Sequence, residues 1–225
     1  MSTTPISIED KTVLVTGANR GLGKALVQEA LRRVIPVILD VTDPAQIQQA
    51  AESVDSLDVL INNAGVSLPD DLSDRAAFEQ HLAVNLYGTL DVTQAFLPSL
   101  TRGRGTLVNV VSVGALAAVP ELPAYSVSKA ALLSLTQSLR ALLTGQGVSV
   151  HAVMPGPIDT DMVRDLDVPK TPPADAARAA LDGVEHGEEE IFPDPFSQTV
   201  ADGWRAGVTK ELEQQNAAMV QAVAA

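Results

Sequence analysis

The run Thr12–Thr16, unbroken in apolar and β-branched residues, passes directly into Gly17-Ala18-Asn19-Arg20-Gly21-Leu22-Gly23 and then into a helical pattern. This junction constrains the fold more than any other feature of the chain. A strand without polar alternation is one buried on both faces, as the inner strands of a parallel sheet are. Glycines between such a strand and a helix permit a tight turn. They also let the backbone approach a pyrophosphate at the positive end of the helix. The triplet alone is weak evidence, because a plain strand-to-helix turn uses the same residues. Its position between a buried strand and an amphipathic helix makes it much stronger.

Beyond this junction, short apolar runs alternate with longer helical stretches, which is the pattern of repeated βαβ units and predicts a doubly wound, Rossmann-type α/β fold. Strands are expected at Thr12–Thr16, Val34–Val41, Leu57–Ile61, Thr106–Val111 and Val148–Val153, with an edge strand at Glu189–Phe192. Helices are expected at Arg20–Arg33, Pro44–Val54 (capped by Asp43), Asp74–Leu100, Pro123–Leu143, Ala174–His186 and Gln198–Ala224. Residues 155–173, rich in Pro and Asp and aperiodic, read as a long functional loop, and residues 174–225 as a C-terminal helical part. No repeat or linker divides the chain, so residues 1–225 are expected to form a single dinucleotide-binding domain. At 225 residues a chain can bury roughly 70% of its unfolded surface, enough for one core.

Composition excludes several classes. The chain is 46% hydrophobic and 19% charged, a globular mixture. Acidic residues outnumber basic ones 28 to 15, a net charge of −13, which speaks against nucleic acid as a partner. No apolar run approaches the ~18 residues of a membrane span. The start MSTTPISIEDK has neither a basic nor an apolar signal region, and there are no cysteines to form disulfides or thiolate metal sites. A cytoplasmic protein is the simplest expectation.

The remaining landmarks extend the glycine pattern. Asn62-Asn63-Ala64-Gly65 follows the strand Leu57–Ile61, and Asn85 lies within VNLYGT. Ser112 ends VNVVS, thirteen residues before Tyr125, which forms YSVSK with Lys129. Pro155-Gly156 opens PGPIDT. Together these resemble the short-chain dehydrogenase/reductase family, carbonyl reductase-like, over about residues 11–162. Physical reasoning points the same way. Gly17, Asp40, Gly65, Ser112 and Pro155 each stand at the carboxyl end of an expected strand, on the rim where open α/β sheets bind ligands. Tyr125 and Lys129, at i and i+4, share a helix face. A tyrosine with a pKa near 10 is a poor proton shuttle unless its anion is stabilised, and a lysine one turn away does this through its charge.

The resemblance implies an NAD(P)-dependent oxidoreductase acting on a small ketone, aldehyde or secondary alcohol. It assigns Tyr125 as general acid/base, Ser112 as the stabiliser of the carbonyl oxygen and Asn85 as the support of a proton-relay water. Lys129 would lower the tyrosine pKa and hold the nicotinamide ribose. Gly17, Asn19, Arg20, Gly21, Leu22 and Gly23 would cradle the cofactor, with Asp40, Val41, Asn62, Ala64 and Gly65 on its adenosine side. Val110, Tyr125, Lys129, Pro155, Gly156, Ile158 and Thr160 would lie on its nicotinamide side. Arg20 is either a solvated residue at a helix start or the partner of a 2′-phosphate; the second reading favours NADP(H) over NAD(H). A homodimer or homotetramer and no resident metal follow from the same resemblance.

The chain departs from the family in one place. The resemblance predicts a second strand and a further helix before LDVTD, yet only sixteen residues separate Gly23 from Asp40. The junction Arg32-Arg33-Val34-Ile35 also lacks the Gly or Asn expected at a helix end. One explanation is a segment absent from the sequence as written. A second is natural loss, with Val34–Val41 seated beside the first strand and Asp40, 23 residues after Gly17, acting as a ribose acid that selects NAD. The third, a sheet with a gap, leaves backbone groups unpaired. The first is favoured, because Asp40-Val41-Thr42-Asp43 fits the family's third strand end. The missing unit also supports a competing reading: a cofactor-binding or scaffold protein of the same fold with little turnover.

Weaker signals are read conservatively. His81, His151 and His186 are scattered and expected to be structural or solvated. Glu188-Glu189-Glu190 reads as a solvated edge. Trp204 with Val200, Val208 and Leu212 forms a packing stripe. Leu116, Val119, Leu122, Met154, Met162 and Val163 are either substrate lining or core.

Overall fold

The computed structural model describes residue 8 and residues 10–30 and 35–224. Five parallel strands, β1 (Val13–Val15), β2 (Val59–Asn62), β3 (Thr106–Val110), β4 (Ser149–Val153) and β5 (Glu190–Ile191), lie side by side in chain order. Among the described residues the sheet is continuous, so it has no gap.

Successive residues of each strand face opposite layers, which is why the inner strands are largely apolar on both faces, with Asn62, Asn109 and His151 among the buried polar exceptions. Val59, Ile61, Val108, Val110 and Val153 pack with α1 (Gly21–Ala30) and α6 (Pro173–Glu185). Leu60, Leu107 and Val150 pack with α2 (Pro44–Ser53) and α4 (Thr89–Gly103). Ala152, Met154 and Phe192 meet Leu132 and Leu133 of α5 (Pro123–Leu143). Met154 is therefore core rather than substrate lining. Among the described residues no helix is long and apolar enough to cross a membrane.

Three expectations about secondary structure are corrected. Residues 35–40 form no strand, and Ile35, Val37 and Ile38 are exposed, Ile38 by 91%. Val34 and residues 31–33 at the end of the expected helix lie outside the described residues, as does most of the N-terminal leader. Asp40 thus stands at no strand end, residues 35–41 do not pair beside β1, and among the described residues β1 forms the edge of the sheet. Within residues 35–40 only Leu39 packs against the core, so the segment lacks the buried face that a strand beside β1 would need.

The single helix expected over Asp74–Leu100 is interrupted. It runs as α3 (Arg75–Leu82), a π-helical turn (Ala83–Gly88) and α4. Asn85, in that turn, exchanges hydrogen bonds with the Val66 backbone, a tertiary demand that the local helical pattern does not reveal.

The expected last helix is also two: α7 (Pro195–Arg205) and α8 (Val208–Ala224), broken at Gly207, where a Cβ would come 2.8 Å from the Gly203 carbonyl oxygen. The break splits the supposed stripe. Trp204 stays against the core while Val208 and Leu212 are exposed.

Glu188–Glu190 is not a uniformly solvated edge. Glu190 is buried and pairs with Arg140 of α5 and Lys210 of α8, each at 2.8 Å. Glu213 and Glu189 complete the cluster, which ties the C-terminal helix to the sheet. The carboxylates of Glu189, Glu190 and Glu213 converge closely enough to bind a metal, yet Arg140 and Lys210 already pair with all three.

Candidate active site

The glycine loop is built by close approach. Gly17 and Gly21 have φ of +64° and +53°, where side chains are strained. A Cβ on Gly17 would come 2.8 Å from the Ala64 Cα, and one on Gly23 would come 2.4 Å from the Gly17 carbonyl oxygen. A Cβ on Gly21 would lie 3.2 Å from the Thr160 methyl, so the loops after β1 and β4 face one another across the rim. Leu22 lies partly buried between them, and Asn19 and Arg20 are exposed at the loop's outer side.

One functional residue was missed in the sequence reading. The Asn63 side chain donates to the Thr16 and Gly17 carbonyls at 3.0 and 3.2 Å, while Thr16 Oγ1 accepts from the amides of Asn63 and Ala64. Asn63 therefore holds the glycine loop from the next strand end. Its neighbour Asn62, expected to line the cleft, turns the other way. Its amide donates to Thr93 Oγ1 and Asn109 Oδ1, at 2.9 and 3.0 Å, in the core. Side chains alternate along β2, so two adjacent asparagines cannot both face the rim. The repeat Asn-Asn was the available signal, and alternation divides its roles.

Ser112, Tyr125, Lys129 and Asn85 converge. Ser112 Oγ accepts from the Gly114 amide at 3.0 Å, and its hydroxyl acts on Tyr125 to lower the phenol pKa. Lys129 Nζ lies 5.7 Å from the centre of the Tyr125 ring and donates to the Val110 carbonyl at 2.8 Å. Asn85 is buried. Its side chain pairs with Val66 N and O at 2.8 and 3.0 Å and donates to Ser128 Oγ at 2.9 Å. Gly65 sits between Asn85 and Lys129, since a Cβ there would lie 3.2 and 3.8 Å from their polar atoms.

The electrostatics differ from the sequence expectation. Burial raises the Tyr125 phenol above its ordinary value, and only the Ser112 hydrogen bond works to lower it. Lys129, just 4% exposed, is itself pushed down to about 8 by burial, because its one protein partner is a neutral carbonyl. Lys129 lies over the Tyr125 ring and bonds to the Val110 carbonyl.

The remaining expected positions are distributed around the rim. Ala64 follows the glycine-loop contact, Val110 is buried beneath Lys129, and Ile158 is buried where it bridges to Thr171. Pro155 accepts distantly from Ser112, and Gly156 N donates to Asp194 Oδ2 at 2.8 Å. Asp194, buried at the start of α7, is a second residue that only the fold reveals. Val41 is buried against Gly88, whereas Asp40 is exposed and its carboxylate accepts from the amide and hydroxyl of Thr42, which hold it below the usual carboxylate range. Val119 and Met162 are exposed. The three histidines stay far apart in role: His81 and His151 are buried and bonded to backbone, and His186 is exposed.

The family model described as short chain dehydrogenase matches residues 27–170. The chain belongs to that family. The match begins after the glycine loop, so Gly17–Gly23 stands on its own geometry. Among relatives, the 3-oxoacyl-[acyl-carrier-protein] reductase FabG of Thermotoga maritima is 35% identical, covering 71% of this chain and 78% of that protein. The 17-beta-hydroxysteroid dehydrogenase type 2 of Homo sapiens is 34% identical over 72% of this chain and 51% of its own length, so the chain spans about half of that relative. A solved short chain dehydrogenase from Burkholderia cenocepacia, in complex with NADP, superposes with a TM-score of 0.83 at 34% identity, covering 96% of this chain and 99% of that one. The short-chain dehydrogenases are oxidoreductases that use NAD(P), and this chain shares their parallel-sheet fold.

Proposed function

We propose that this short-chain dehydrogenase is an NADP(H)-preferring carbonyl reductase or alcohol dehydrogenase with Ser112, Tyr125, Lys129 and Asn85 at its centre. The observation that carries the reading is Lys129. Its ammonium is buried at the rim with only one hydrogen-bond partner among the described residues, so further donor capacity remains in the cleft. Vicinal ribose hydroxyls match that capacity. The positive-φ glycine loop at the start of α1, with no room for side chains, fits the diphosphate. When bound, the nicotinamide supplies or accepts the hydride.

The chain's own residues perform the rest. In reduction, Tyr125 gives its phenolic proton to the carbonyl oxygen; a raised pKa keeps that proton in place at neutral pH. Ser112, with one lone pair occupied by the Gly114 amide, hydrogen-bonds the same oxygen as its charge grows. In the oxidative direction Tyr125 accepts the alcohol proton. The Asn85 side chain is committed to Val66 and Ser128, so a relay water would rest on its backbone carbonyl, to which Thr89 also donates at 3.2 Å. Arg20, exposed beside Gly21, supports the NADP preference as a partner for the 2′-phosphate. Homodimers or homotetramers fit the exposed apolar residues Val127 and Leu142 on α5.

A second reading, a cofactor-binding protein with little turnover, is favoured by one observation: β1 lies at the sheet edge with no strand built from residues 35–40. Titration with NADPH and separately NADH, followed by nicotinamide fluorescence, tests the cleft that both readings need, and a carbonyl-reduction assay on the same preparation separates them. Saturable binding, tighter for NADPH, supports the role of Arg20, and turnover with it supports the reductase. Tighter NADH binding removes the NADP preference, binding without turnover favours the second reading, and no binding of either overturns both.

A further inference from the structure

α5 carries both Tyr125 and Lys129, yet its own sequence does not cap it. The N-cap position is Leu122, which has no side-chain acceptor, and Pro123 follows without an N–H. Ala124 is thus the first residue of the helix with an amide to satisfy, and it directly precedes Tyr125. The acceptor comes from 54 residues away: both carboxylate oxygens of Asp70 lie on the Ala124 amide, at 3.2 and 3.3 Å.

Asp70 is the end of a segment tied down at every second residue. Val66 exchanges two hydrogen bonds with Asn85. The Leu68 amide donates to His81 Nε2 at 3.0 Å, and His81 Nδ1 faces the Ala77 carbonyl at 2.8 Å. These partners fix the tautomer, because a nitrogen facing an amide must accept and one facing a carbonyl must donate. His81 is fully buried and His81, Asn85 and Asp70 together stitch residues 66–70 between α3, the π-turn and α5. The segment begins at Gly65, against Asn85 and Lys129, and ends at the amide before Tyr125.

We propose that Asp70 is a positioning residue: it caps the catalytic helix from outside, fixing the first turn that holds Tyr125 and placing a negative charge beside that turn. The proposal rests on the reading of Tyr125 as the proton donor. An anion at this end of a helix is favourable for the helix, and it opposes ionisation of a nearby phenol.

The chain has two tyrosines, and Tyr87 is exposed, so in a Tyr87→Phe background the ultraviolet tyrosinate titration reports Tyr125 alone. In that background Asp70→Asn keeps an acceptor oxygen but loses the charge, whereas Asp70→Ala loses both. Both variants are expected to ionise Tyr125 at lower pH, with about threefold more tyrosinate at a given pH. Amide exchange at residues 124–126 is expected to quicken about fivefold in Asp70→Ala, the effect of losing an ordinary cap, and to stay near the parent in Asp70→Asn. A tyrosinate titration unchanged in both variants, or helix-start exchange in Asp70→Ala equal to the parent, overturns the proposal. Neither readout needs turnover, so they stand apart from the Tyr125→Phe activity test on which the reductase reading depends.

Discussion

The two ends of the sheet's rim are built differently. Around β2, β3 and α5, buried polar side chains are cross-linked: Asn85 to Val66 and Ser128, Asn109 to Asn62 and Thr136, Asn63 to the glycine loop. Beyond β1, Ile35, Val37 and Ile38 are exposed and residues 35–40 add no strand. The first region has a polar partner for nearly every buried group and so has one arrangement. The second region has apolar side chains but no surface to bury them against. A cross-linked candidate site can stand in the same sheet as a segment whose apolar side chains stay exposed.

The sharpest way to break the comparison is at its ordered end. Tyr125→Phe should lower carbonyl reduction roughly 100- to 10,000-fold, the usual contribution of a general acid, with dinucleotide binding retained. Steady-state rates and fluorescence titration on the same preparation check this, and retained activity would remove Tyr125 as the acid. Next in size is the ion cluster behind the site. Arg140→Met takes one cation from buried Glu190 and frees the carbonyls of Val150 and Glu189, and a loss of about 3 kcal/mol in denaturant unfolding is expected.

Lys129→Met should do the opposite to stability while abolishing turnover. Because the folded protein holds Lys129 down at about 8 and the ordinary value is 10.5, the unfolded chain binds the proton more tightly between those values. The folded state is thus penalised at neutral pH, and the penalty fades as pH rises from about 8 to 10.5. Removing the charge should stabilise the protein at pH 7 by on the order of 1–3 kcal/mol, with the gain shrinking toward pH 10. A gain that does not depend on pH would contradict the burial argument.

At the other end of the rim the effects are smaller. Asp43 caps α2 by accepting from the amides of Ala45 and Gln46, so Asp43→Ala should cost about 1 kcal/mol, read by thermal unfolding. Ile38→Lys should change stability by less than about 0.5 kcal/mol, since the side chain buries almost nothing. It should nevertheless raise the concentration at which the chain stays dispersed, measured by light scattering, by breaking up the exposed apolar run Ile35, Val37 and Ile38. A large loss of stability would show that Ile38 is buried in solution.

Much of this protein was legible from local pattern. Glycine spacing after a buried strand, the thirteen-residue step from Ser112 to Tyr125 and the helical step to Lys129 are short-range facts, and the structure brings those residues together. What pattern could not supply were choices made by a distant partner. VIPVILDV reads as a strand, but a strand also needs a face to bury, and Ile35, Val37 and Ile38 are exposed. The second asparagine of NNAG serves the cleft because the first is turned inward by Asn109. Glu190 looks like a solvated acid until Arg140 and Lys210, 50 and 20 residues away in sequence, meet it.

The sequence by itself therefore determined the family, the parallel strands of the inner sheet and the residue types of the candidate site, because each depends on spacing within one strand, turn or helix. The tertiary structure decided which strand became the edge, where the long helix yields to a π-turn at Asn85, and that the first free amide of α5 meets Asp70. Those outcomes turn on hydrogen bonds and burial between segments far apart in the chain, which no local periodicity encodes.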